Sequence, residues 1–127
     1  AGYYAKGKDK LTDTLCQMIE FGQKVSAVDY NTAIDGQDLL NSGLDMVFAH
    51  YDIIITPATT GEAPLGLDAT GSPIFNTLAT YCGVPSITLP LMEGPNGLPL
   101  GVQVIGPRDD DARLLRNAKW LMQRVLG

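Results

Sequence analysis

The segment Cys82–Gly106 carries the strongest structural signal in this sequence and reads CGVPSITLPLMEGPNGLPLGVQVIG. Two apolar runs stand on either side of a stretch rich in glycine, proline and asparagine, residues that favour chain reversal. We therefore predict a β-hairpin with Asn96-Gly97 at the turn and Leu100–Ile105 as the return strand. Because each fully buried isoleucine, leucine or valine contributes about 1.5–3 kcal/mol to stability, the hairpin is the predicted structural centre.

A second apolar segment, Asp52–Ala58, contains three consecutive isoleucines before Pro57. A short run of this kind is typical of a strand buried on both faces, and such a strand needs helices on both sides of its sheet. The predicted fold class is therefore α/β, with a mixed sheet that includes the β-hairpin and is flanked by helices.

Apolar residues at helical spacing predict four helices. They cover about residues 9–23, the segment from the Ser26–Asp29 capping box to about Phe48, Pro73–Cys82, and the segment that begins at Asp109. The serine and the acid of a capping box satisfy free groups at a helix start. No internal repeat or linker interrupts the pattern, so residues 1–127 are predicted to form a single domain.

The composition excludes several classes of protein. A net charge of −5 without a basic patch argues against a nucleic-acid partner. No apolar run approaches the roughly 20 residues that span a membrane. Cys16 and Cys82 have neither metal-binding nor redox spacing. Two cysteines are enough for one disulfide, whereas two reduced thiols, the interpretation favoured here, are typical of a cytoplasmic protein. We expect a cytoplasmic location, no metal and no cofactor.

Gln103 is the unusual residue of the return strand, since it places an amide in an apolar run. A buried amide must be hydrogen-bonded, or it costs about 1–3 kcal/mol. Two interpretations are open: an internal hydrogen bond to a loop, or a position facing a substrate pocket. Thr59–Ser72 is the predicted long loop, and loops of this length in compact domains are often functional.

Several residues invite a catalytic interpretation. His50 is the only histidine, and with Cys82 and Asp52 it could form a nucleophile, base and orienting acid; otherwise His50 is a helix-end residue. Ser72 lacks the surroundings of a serine nucleophile, which favours a loop or capping hydroxyl. Asp109–Asp111 could be taken for a metal site, but consecutive helical residues diverge, which favours a helix start.

In order and spacing, seven segments resemble the amidase signature family: Leu15–Gly22, Ser26–Ala33, Tyr51–Pro57, Ala63-Pro64, Phe75-Asn76, Gly83–Pro85 and Leu98–Gln103. The resemblance covers most of the chain and is weakest before residue 11. It implies an α/β fold and the hydrolysis of carboxylic amides. In this family a serine attacks the carbonyl, and a lysine acts through a second serine.

The segments that carry those catalytic groups have no counterpart in this chain, so no catalytic residue is predicted. The resemblance implies the carboxyl-terminal portion of an amidase, inactive alone, whose full-length form takes a small amide substrate. Thr59–Asn76 is the candidate wall of the substrate pocket, and Asn76 and Gln103 are the predicted substrate-binding residues. Alternatives are a non-catalytic module that binds a ligand or partner, and a hydrolase that depends on Cys82.

Two further expectations concern substrate and assembly. Family members that belong to tRNA-dependent amidotransferases tend to carry an acid, a threonine and an asparagine where this chain has Pro73, Asn76 and Thr80. That difference favours a general amidase. Strand edges without neighbours tend to pair with another chain, so we expect a homodimer formed through exposed strand edges.

Overall fold

The computed structural model describes residues 2–127. The chain separates into two compact units, the first ending at Gly36 and the second covering Gln37–Gly127. Within the described residues, no helix combines the length and apolar character needed to cross a bilayer. The assignment of residues 1–127 to a single domain stays a prediction.

The first unit is built from short helices. α1 spans Gly2–Gly7, a 3₁₀ turn spans Lys8–Lys10, and α2 spans Asp13–Gly22. The helix predicted near residue 9 starts later because Thr12 caps it, its hydroxyl accepting a hydrogen bond from the Leu15 amide at 3.4 Å.

The long helix α3 spans Ala27–Phe48 and begins as predicted at the capping box. The Asp29 amide donates to Ser26 Oγ at 3.1 Å, and the Ser26 hydroxyl donates to Asp29 Oδ2 at 2.7 Å. The two residues therefore stabilise the helix start reciprocally.

The second unit contains a three-stranded sheet. β1 spans Ile54–Pro57, β2 spans Ser86–Glu93 and β3 spans Pro99–Ile105, in the spatial order β1-β3-β2. The α/β class and the β-hairpin are confirmed. Both neighbouring pairs are antiparallel, so the predicted mixed arrangement is not found among the described strands. β1 and β2 do run in the same direction, but the hairpin's return strand lies between them.

Two helices complete the second unit. α4 spans Thr77–Cys82 after a 3₁₀ turn at Ile74–Asn76, and α5 spans Asp111–Leu126. The predicted start of α5 at Asp109 is wrong, because Asp109 has a φ of 59°, outside the helical region. Asp110 caps the helix, its carboxylate accepting from the Arg113 amide at 3.1 Å.

Helices cover both faces of the sheet, but the prediction that the Asp52–Ala58 strand is buried on both faces is wrong. β1 is an edge strand in which partly buried and exposed residues alternate, and Ile55 is 53% exposed. Successive residues of β3 point to opposite faces, and Val104 and Ile105 are both fully buried. The cluster on the Val104 face combines Leu89 of β2 with Leu114 and Ala118 of α5. The cluster on the Ile105 face combines residues of α3, of α4 and of the segment after α4: Leu44, Phe48, Ala79, Cys82 and Val84.

The hairpin contains a bulge that accommodates Pro90. Leu89 pairs with Val102 and Met92 pairs with Leu100, so β2 carries one extra residue there. A proline is tolerated at this position because a bulge on an edge strand needs no ladder donor. Opposite the bulge lies Gly101, where a β-carbon would come within 2.5 Å of the Thr88 methyl group.

The chain reversal is a turn over Gly94–Gly97, closed by a 3.0 Å hydrogen bond from the Gly97 amide to the Gly94 carbonyl. Gly97 has a φ of 78°, which glycine adopts without strain. The predicted location of the turn is therefore confirmed, with Pro95 and Asn96 at its corners.

Candidate functional site

A chain of hydrogen bonds links the sheet to the segment that follows β1. The Thr56 hydroxyl donates to Gln103 Oε1 at 3.0 Å, and Gln103 Nε2 donates to Asn76 Oδ1 at 2.8 Å. Asn76 Nδ2 in turn donates to the Ala58 carbonyl at 3.1 Å. The structure thus brings together the two predicted substrate-binding residues, Asn76 and Gln103.

Gln103 is only 2% exposed, and both ends of its amide are hydrogen-bonded inside the protein. These bonds offset the desolvation of a buried amide. The geometry matches the first interpretation of Gln103, an internal hydrogen bond to a loop. A role of Gln103 in binding substrate remains a prediction. Its hydrogen bond to Asn76 would let Gln103 orient the Asn76 side chain toward a ligand without touching the ligand itself.

Asn76 is more accessible than Gln103. It is half-buried at the end of the 3₁₀ turn. It lines a shallow cavity of about 310 Å³ with Pro73, Thr77, Thr80 and Tyr81. Direct contact between a ligand and Asn76 also remains a prediction.

The loop Thr59–Ser72 has no regular structure, as predicted, and a clamp formed by Glu62 and Asn96 ties it to the hairpin turn. The Asn96 amide donates to Glu62 Oε1 at 2.9 Å, and Asn96 Nδ2 donates to Glu62 Oε2 at 2.7 Å. The hydrogen bond from the Asn96 side chain lowers the pKa of Glu62, and the backbone amides of Asn96 and Leu98 act in the same direction.

The clamp requires a glycine beneath it. A β-carbon on Gly94 would lie 2.0 Å from Glu62 Oε1, far inside van der Waals contact. Sequence reasoning missed this pair of Glu62 and Asn96. The available signal was that Glu62 is the only charged residue between Asp52 and Asp68.

A groove lies between the sheet and the first residues of the loop. It has a volume of about 560 Å³, and we call it the Val102 groove. Its apolar lining consists of Ile55, Pro57, Phe75, Met92, Leu100 and Val102. Its hydroxyl groups come from Thr56, Thr59 and Thr60.

A cavity in the first unit is larger, about 730 Å³, but is lined by charged residues that include Lys8, Asp9 and Glu20. Glu20 accepts hydrogen bonds from Lys8 Nζ at 2.6 Å and from the Tyr4 hydroxyl at 2.8 Å. The hydrogen bond from Lys8 lowers the pKa of Glu20. Since the Lys8 and Glu20 side chains are 57% and 43% exposed, this is a solvated ion pair.

The four residues considered for catalysis make contacts that are typical of structural roles. The Cys82 thiol is fully buried, and His50 is exposed in the turn after α3. Asp52 Oδ1 accepts hydrogen bonds from Arg113 at 2.8 and 3.1 Å. Ser72 Oγ accepts from the Ile74 amide at 3.4 Å, as expected of a loop hydroxyl. None of these contacts activates a nucleophile.

A family model described as Amidase matches residues 3–115 of this chain. The A subunit of the glutamyl-tRNA(Gln) amidotransferase from Cereibacter sphaeroides is 38% identical over 103 residues, which are 74% of this chain and 21% of that protein. Its counterpart from Halothermothrix orenii is 31% identical over 93 residues, 68% of this chain and 20% of that protein. The chain thus spans about a fifth of the length of these curated relatives.

Solved structures agree in fold. An amidase aligns with a TM-score of 0.84 and 22% identity, over 96% of this chain and 31% of its own. The 6-aminohexanoate cyclic dimer hydrolase aligns with a TM-score of 0.72 and 21% identity, over 91% of this chain and 29% of its own. Together with the family model, which covers most of the sequence, these likenesses show that the chain belongs to the amidase signature family.

Proposed function

We propose that this chain forms the scaffold and one wall of the substrate pocket in an amide hydrolase, and that it carries no catalytic group itself. The observation that supports this role is the buried hydrogen bond between Gln103 and Asn76. It fixes the end of the Thr59–Asn76 segment against the sheet, and precise positioning of such segments is what binding sites need.

The lack of catalytic groups rests on the chemistry that amide hydrolysis requires. A nucleophile needs an adjacent base, and the developing oxyanion needs hydrogen-bond donors. In residues 2–127, no serine or cysteine is hydrogen-bonded to a lysine or histidine side chain. A chain that spans about 20% of its curated relatives is consistent with catalytic groups that lie elsewhere in a longer protein.

The first test is hydrolysis by the purified chain. We expect no turnover of aryl or aliphatic amides above the blank. Turnover that follows the protein through size-exclusion chromatography, and that is abolished by Cys82→Ala, would instead establish the cysteine-dependent alternative. A substitution is needed because the Cys82 thiol is fully buried. Turnover that persists in Cys82→Ala would also overturn the proposal.

The second test is a chimera in which this chain replaces the matching 31% of the structurally similar amidase. We expect a folded chimera that still hydrolyses amides, because the substituted part supplies only scaffold and pocket wall. Circular dichroism establishes folding. A folded chimera with no turnover would favour the alternative, a non-catalytic module that binds a ligand or partner.

The chimera also distinguishes the two substrate classes of the family. The curated relatives are named as parts of glutamyl-tRNA(Gln) amidotransferases, whereas Pro73, Asn76 and Thr80 in this chain favour a general amidase. We expect simple amides to be hydrolysed faster than glutamine. The reverse order would assign the chain to the amidotransferase class.

We infer in addition that the isolated chain forms a homodimer through the outer edge of β1. Among the described strands, β1 and β2 are the two edges of the sheet, and Pro90 with its bulge makes the β2 edge a poor partner. Ile55 on β1 is 53% exposed. Sedimentation velocity at high concentration is expected to show a dimer, and a monomer at all concentrations would refute this.

The free thiols of Cys16 and Cys82 support a cytoplasmic location.

A further inference from the structure

The Val102 groove has the size of a small-molecule site. Its volume of about 560 Å³ falls within the range of roughly 300–1,000 Å³ that is typical of ligand pockets. Two large apolar side chains that line it, Ile55 and Met92, are 53% and 59% exposed. A ligand that covers them would remove apolar surface from water, which is favourable.

The lining of the groove disfavours charged ligands. No charged side chain contributes to it among the described residues. The Thr56 hydroxyl donates to Gln103, and the Thr59 hydroxyl donates to the Ser72 carbonyl at 3.4 Å. Because an ion buried without a partner loses its hydration, a charged ligand would bind poorly here.

The groove is also held open before a ligand arrives. β1 and β3 form one wall, and Thr59–Gly61 contributes to the other. The residue that follows, Glu62, is fixed to the hairpin by its two hydrogen bonds to Asn96. Preformed walls favour binding because less conformational freedom is lost.

We propose that the Val102 groove binds the uncharged aromatic or alkyl group of a small carboxylic amide. The amide part of this statement rests on the proposed function. The preference for an uncharged apolar group follows from the lining itself.

The experiment uses three probes of nearly equal shape: benzamide, which is neutral, benzoate, which is an anion, and benzamidine, which is a cation. Each is titrated into the ¹⁵N-labelled chain while amide shifts are recorded. For so small a ligand we expect benzamide to bind with a Kd on the order of 1 mM. The largest shifts are expected in residues 55–61 and 100–102, and the charged probes should bind at least about tenfold more weakly.

A blocking variant and a matched control locate the site. Thr60→Trp places a large side chain at an exposed position that lines the groove and should weaken benzamide binding at least about fivefold. Leu65→Trp adds the same indole to a fully exposed position of the same loop that does not line the groove. It should leave benzamide binding unchanged.

Three outcomes would overturn the proposal: no benzamide shifts, shifts centred outside the groove, or equal binding of benzoate. Benzamide binding lost while the chimera hydrolyses amides would refute only the groove. An inactive chimera with binding retained would refute only the proposed function.

Discussion

Gln103 and Asn76, separated by 27 positions in the sequence, are joined by a 2.8 Å hydrogen bond beneath the candidate pocket wall. One partner is a buried strand residue and the other ends a 3₁₀ turn. The bond therefore joins a buried residue of the central strand to the segment after the long loop, and it holds that segment in place against the sheet.

Replacing Gln103 by leucine should lower the free energy of unfolding by about 1–3 kcal/mol, because the Thr56 hydroxyl and Asn76 Oδ1 lose their buried partner. Urea denaturation measures the change. Gln123→Leu, the same substitution at an exposed position of α5, should change stability by less than about 0.5 kcal/mol. Equal effects of the two substitutions would contradict the buried network.

The clamp between Glu62 and Asn96 should open in acid. The folded-state pKa of Glu62 is lowered, so the stability that the clamp adds is fully present above the unfolded-state pKa, about 4.3. It is lost as the pH falls through the lower, folded-state pKa. The Asn96 amide shift should titrate with a midpoint below about 4.3.

Two variants test the origin of that titration. Glu62→Gln should abolish the titration of the Asn96 amide, whereas Asp68→Asn, at an exposed position of the same loop, should preserve it. A midpoint above about 4.3 in the unmodified chain would mean that the hydrogen bonds do not favour the ionised carboxylate.

Gly94→Ala should displace Glu62, because the added methyl would lie 2.0 Å from its carboxylate oxygen. We expect the acid titration of the Asn96 amide to disappear, as in Glu62→Gln. Gly43→Ala is the control: apart from the adjoining backbone of α3, no atom lies within 4 Å of the added methyl, and alanine in a helix interior should raise stability by about 0.5–1 kcal/mol. An unchanged Asn96 titration in Gly94→Ala would show that Glu62 is not held over the turn.

The hairpin was predictable because its signal is local. The apolar runs and the residues between them determine two strands and a turn, and the structure has them at β2, β3 and Gly94–Gly97. The identity of a strand's neighbours is not local. The sequence gives no indication that β3 lies between β1 and β2. For this reason a mixed sheet was predicted, whereas both strand pairs in the structure are antiparallel.

The same distinction applies to the candidate site. Gln103 could be singled out because an amide in an apolar strand breaks a pattern. Glu62 is a lone charge in its loop, but Asn96 is an ordinary turn residue, and nothing in the sequence pairs the two across 34 positions. A contact of this kind depends on how the loop folds back over the hairpin, which no periodicity encodes.

Asn41 provides a test of the α3 core. It is 7% exposed on the helix face that also carries Leu44 and Phe48, and neither amide atom has a hydrogen-bond partner among the described residues. Because an unsatisfied buried amide is destabilising, Asn41→Leu should raise the free energy of unfolding by about 1 kcal/mol. The exposed Asn31→Leu should have little effect. A loss of stability in Asn41→Leu alone would mean that the amide is hydrogen-bonded in solution, for instance to a buried water.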